Sequence, residues 1–138
     1  MSHLSLFNTA VYEFIADLKK MNILSNEIAK LETYVEVTRV NARAIISNFQ
    51  SNLLRDVFVQ NILKNNVHFF IEYDATSEVS GDNTALTLIK RIQELVRTMA
   101  SQGASDNIAL TLKHLKVLCF HAYADLGIDA ASKFRSLM

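Results

Sequence analysis

Two histidines, His114 and His121, stand seven residues apart in a stretch without Pro or Gly that runs from Ser105 to Leu126. On a helix that spacing puts both imidazoles on one side, about 10.5 Å apart along the axis. One metal ion cannot easily bridge that gap. Zinc sites on a single helix usually take ligands one turn apart, and the remaining ligands would have to come from His68 or His3. No metal is expected. Cys119 is the only cysteine, so neither an internal disulfide nor a two-cysteine metal or redox motif can form within the chain. It lies on an apolar stripe, where a free thiol is a small buried hydrophobe and not a nucleophile.

The other residue types that carry chemistry lack the patterns chemistry needs. Glu72, Asp74, Glu78 and Asp82 gather around Gly81, but a calcium loop needs oxygen ligands at alternate positions, a Gly at the sixth and a Glu at the twelfth. The stretch reads as a solvated loop. No two carboxylates are set in an apolar surround for acid–base work. Isolated glycines at 81, 103 and 127 make neither a P-loop nor a dinucleotide fingerprint, and no serine sits in a nucleophile elbow. Arg39 and Arg43, one turn apart, could grip a phosphate or a partner carboxylate, or line an ordinary solvated face. His121 followed by Gly127, Ile128, Asp129 and Phe134 is similar to the stretch after the haem-ligating histidine of globins. That likeness fails, because the spacing from histidine to Asp is one residue too long. Only 17 residues follow His121, too few for the two long helices that close a globin pocket. No catalytic, cofactor-binding or metal-binding residue is assigned, and the chain reads as a non-enzyme.

What remains is a surface. At about 100° per residue, Leu110, His114, Val117 and His121 form a second stripe opposite the main one of Ile108, Leu112, Leu115, Cys119, Ala122 and Leu126. One reading is a central helix buried on both sides. The other is a partner-binding face, for a second copy or another protein, whose histidines would make association sensitive to pH near 6 to 7.

The helix that carries this face is one of several. Apolar residues at Leu4, Phe7, Val11, Phe14, Leu18 and Met21 step by three and four, the mark of an amphipathic helix. Ser25 or Asn26, with Glu27 in the first turn, opens a second. Its stripe continues through Val35, Ile45, Phe49 and Leu53 as far as Leu63. A single rod of about 38 residues would span about 57 Å, far beyond a compact chain with a radius of gyration of about 14 Å. A break is expected at Asn41 or in the polar patch Asn48 to Asn52, with the second favoured. Residues 64–84 are the only long interruption. Asp82 or Asn83 then caps a helix striped by Ala85, Ile89, Ile92, Val96 and Met99 and widened by Leu88 and Leu95. Gly103 ends it, Ser105 caps the next, Gly127 stops that one, and the tail from Asp129 to Leu137 adds a short helix with Phe134 and Leu137 folding back.

Composition bounds the partners. With 138 residues, 50% of them apolar, and no Pro or Trp, the chain suits one helical domain, residues 1–138, that can bury a core unaided. Fourteen basic residues against 14 acidic ones argue against nucleic acid or anionic lipid as a partner. Met1 to Leu6 lacks the basic-then-apolar order of a targeting segment, and no window offers the roughly 18 apolar residues that span a bilayer. An intracellular place is expected, with no membrane and no small-molecule substrate.

The segments VYEFIADLKK, VFVQNILKNNVHFFIEYD, IKRIQELVRTM and LKHLKVLCFHAYADL, in that order, resemble those of small helical proteins encoded by nucleocytoplasmic large DNA viruses. The resemblance covers most of the chain and contains no catalytic motif. Proteins of that kind often carry Pro near the first turn and Trp in the penultimate helix, and this chain has neither. The resemblance implies a structural or interaction protein of the host cytoplasm or the virion. Pattern and resemblance together lead to an all-α bundle of about five or six helices, with Phe49, Phe69 and Phe70 filling gaps. Its expected role is assembly or protein interaction, without a cofactor. The alternative is a groove-type regulator that binds a partner helix, as death-regulating or transcription-modulating domains do.

Overall fold

The first helix begins because Ser2 accepts a hydrogen bond from the Ser5 N–H (3.1 Å), satisfying one of the donors a helix start leaves unpaired. The computed structural model describes residues 2–23, 25–72 and 83–138. Among them are eight helices and no strand: α1 (His3–Lys20), α2 (Ser25–Thr38), α3 (Ala44–Asn52), α4 (Asp56–Leu63), α5 (Val67–Glu72), α6 (Asn83–Ser101), α7 (Ser105–Asp125) and α8 (Ala130–Leu137). The class is all-α, as the periodicity indicates. The acidic stretch beyond Glu72, Gly81 and the cap read for Asp82 lie outside the described residues.

The count exceeds the expected five or six for a local reason. The apolar run from Ser25 to Leu63 is three helices, not two. The favoured break, Asn48 to Asn52, lies inside α3. The chain turns instead at the other candidate, where the Asn41 side chain accepts from the Arg43 N–H (3.1 Å) and its carbonyl accepts from the Ala44 N–H (3.0 Å). An Asx-type turn competes with helix at that residue. A second break follows at Arg55, which is extended. A third falls at Asn65, whose φ of 56° only a few residue types tolerate. Each turn rotates the stripe that follows, so Ile46 and not Ile45 is fully enclosed. Inside the expected interruption, the Asn66 side chain accepts from the Phe69 N–H (3.3 Å) and α5 forms.

Both glycine stops hold. Gly103 (φ 66°) and Gly127 (φ 80°) follow α6 and α7 in the left-handed region. The next N–H in each case reaches back five residues, from Ala104 to Met99 (2.9 Å) and from Ile128 to Tyr123 (3.1 Å). That is the Schellman closure. Ser105 does not cap: Ala104 holds the position with no side-chain bond. Asp129 does cap α8, accepting from the Ser132 N–H (3.1 Å).

Helix α1 packs along α7 and against α2 and α3. Its residues Phe7 and Leu18 are wholly enclosed, as are Cys119 and Ala122 of α7. Phe7 meets Phe49 edge to face at 5.5 Å, and Phe70 of α5 meets Phe58 of α4 at 5.3 Å. Phe69 is only partly buried, unlike Phe49 and Phe70. The buried Gln93 donates to the Phe70 carbonyl (3.1 Å) and Arg97 to that of Ile71 (2.7 Å), fixing α5 on α6. Leu126, placed in the core stripe by its spacing, is 53% exposed, because α7 ends at Asp125 and Leu126 lies in the turn beyond it, off the helical stripe.

Candidate interaction surface

Helix α7 packs antiparallel to α1: His114 touches Asp17 near the end of α1, and His121 meets His3 at its start. This pairing splits the four residues of the second stripe. His114 lies 2.7 Å from an Asp17 carboxylate oxygen and stacks on Phe14 with ring centroids 5.0 Å apart. His121 has His3 at 6.0 Å and Phe120 at 5.7 Å. Its Nδ1 is buried with no hydrogen-bond partner among the described residues. Burial, and secondarily the neighbouring His3, holds the His121 imidazole below the usual histidine range. Both histidines thus face α1 of their own chain.

The other two residues turn outward. Leu110 is half-buried and Val117 is 38% exposed. Phe120 (37% exposed), Lys113 (exposed) and Ala124 complete a stripe at 110, 113, 117, 120 and 124, stepping by three and four. The sequence reading missed Phe120. Its signal was the same three-residue step from Val117, obscured because the neighbouring His121 fits a seven-residue step from His114 equally well. The Phe120 ring rests edge-on against Phe134 of α8 at 5.9 Å, which holds it in place while leaving one side to solvent. Leu126 and Ile128 are exposed in the turn beyond.

The remaining candidates are engaged elsewhere. Arg43 reaches from the α2–α3 turn to both carboxylate oxygens of Asp125, and Gln50 donates to the same carboxylate at 3.0 Å. These bonds, Arg43 first, hold the Asp125 carboxyl below the usual range. Arg39, just past the end of α2, pairs with Glu36 of that helix at 3.5 Å, while Arg43 is held by Asp125, so the two guanidiniums do not converge. Cys119 is wholly enclosed, and burial pushes its thiol up to about 12, which fits an inert core residue. Among the described residues no three His, Cys, Asp or Glu side chains could hold a metal ion. No helix among them is long and apolar enough to cross a membrane.

Comparison of the chain with protein-family models, with curated proteins and with solved structures gives no match, so the resemblance to viral helical proteins rests on the quoted segments alone.

Proposed function

We propose that this chain is a non-enzymatic interaction or assembly protein whose contact face is the outward side of α7. The observation that supports the reading is the pair Val117 and Phe120, each more than a third exposed on a helix whose opposite side is fully packed. A large apolar ring held rigidly at the surface gains free energy by being covered, and contiguous apolar patches on soluble proteins mark contact sites. The histidines leave this face, since His114 and His121 are committed to α1. Leu110, Val117 and Phe120 would make the contact, with Lys113 setting the charge it prefers.

The test is solution mass by light scattering at neutral pH on the wild type, Val117→Glu and Phe120→Glu, with circular dichroism to verify folding. The expected result is a multimer that falls to the 15.6 kDa monomer in both variants while helicity is kept. A wild-type monomer at every accessible concentration overturns the assembly form of the proposal.

A further inference from the structure

Where α1, α2, α3, α6 and α7 converge, the side chains leave a cavity of about 60 Å³. Phe14 and Leu18 of α1, Leu31 and Val35 of α2, Phe49 of α3 and Leu118 of α7 are among the residues of its wall. None of these six is more than 7% exposed, and no polar surface faces the space. Around the rim only Tyr34 and Ile45 are partly exposed, so the way out passes between α2 and α3. There the Tyr34 hydroxyl accepts a hydrogen bond from the Asn48 side chain at 2.8 Å, linking the two helices across the opening.

An internal space of this kind has a defined preference. A buried water needs two to four polar partners, and an apolar cavity stays dry even when it has room. An empty void also forfeits the dispersion contacts of its lining, so any apolar occupant that fits restores them. Size then selects the occupant. A dry cavity of about 150 Å³ takes benzene or xenon. The space here is well under half of that, which admits an atom such as xenon or a molecule of very few carbons and rejects an aromatic ring.

We infer that this cavity is a binding site for a small, wholly apolar ligand of gas to short-alkyl size, entered between Tyr34 and Ile45. The site is separate from the outward face of α7 and stands whether or not that face has a partner. Leu115 and Leu118 line it from the inner side of the same helix.

The test uses the full chain with ¹³C-labelled Ile, Leu and Val methyls and two probes, xenon under pressure and benzene. Xenon is expected to give saturating shifts at Val11, Leu18, Leu31, Val35, Leu115 and Leu118, with none at the exposed Val37 and Val40. Benzene is expected to leave all of them unmoved. Leu118→Ala, which enlarges the space, is expected to gain benzene shifts at the remaining lining methyls. If Leu118→Ala does not fold, the comparison of the two probes on the wild type decides alone. Xenon shifts that rise linearly without saturating, or that are as large at Val37 and Val40, overturn the site. So does benzene binding to the wild type as strongly as xenon. Water cross-peaks to the lining methyls would show a wet cavity and overturn it equally.

Discussion

His121 shows how much one neighbour changes a residue's chemistry. Its imidazole faces His3 from α1, with Phe120 at its edge and Asp125, bound by Arg43, one turn further along α7. Burial and His3 favour its neutral form, so its folded pKa lies below the unfolded value of 6.5. Stability from this group is therefore complete above about pH 6.5 and is lost as pH falls through the lower folded value, where the unfolded chain binds the proton first. A lower urea midpoint at pH 5 than at pH 7.5 is expected in the wild type, with a smaller difference in His121→Phe. An equal difference in both would remove His121 as the cause. Below about pH 4, protonation of Asp125 adds a second loss of the same sign, since its carboxyl is depressed too. Tyr123 is the complementary case. Its hydroxyl is buried with no hydrogen-bond partner among the described residues, and burial first, then Cys119 and Asp56, pushes it up to about 12. Tyr123→Phe removes only that unpaired group and keeps the ring against Phe134. It should be neutral or stabilising by about 1 kcal/mol, and a loss of more than that in chemical denaturation would mean the hydroxyl has a partner such as an ordered water.

At the scale of elements, ends and turns decide what each helix can present. Gly127 holds φ at 80° and nothing lies within 4 Å of where a Cβ would stand. The cost of Gly127→Ala is therefore the left-handed backbone alone, about 1 to 2 kcal/mol, and thermal unfolding would register it. An unchanged melting temperature would show that α7 can end without the closure seen here. The turn at Asn41 acts in the other direction: by ending α2 it lets Arg43 swing to Asp125 and tie α3 to the last turn of α7. Glycines are legible as stops because their backbone freedom is intrinsic. The Asn41 turn was legible only as one of two candidates, because asparagine is tolerated within helices, as Asn48 is in α3.

For the molecule as a whole, periodicity alone ranks Phe7 and Leu126 together as core residues, yet the fold encloses the first completely and leaves the second 53% exposed. Phe7→Ala removes a ring packed against Phe49 and should cost about 3 to 5 kcal/mol. Leu126→Ala should stay within about 0.5 kcal/mol, as surface substitutions do. Equal effects in urea denaturation would contradict the packing of α1 on α7. The cavity also belongs to this scale, since five helices contribute its walls and no two of them would enclose it.

Helical class, the main stripe of α1, that of α7 as far as Ala122, both glycine stops and the burial of Cys119 follow from the order of residues, because helix period and backbone freedom are local properties. The direction in which His114 and His121 point does not. On an isolated α7 they share a side with Leu110 and Val117, and only the antiparallel approach of α1, with Asp17 and Phe14 beside one imidazole and His3 beside the other, draws them inward and leaves Phe120 outside. A helix specifies which residues share a stripe. Which edge of that stripe is covered depends on a partner distant in sequence, here α1.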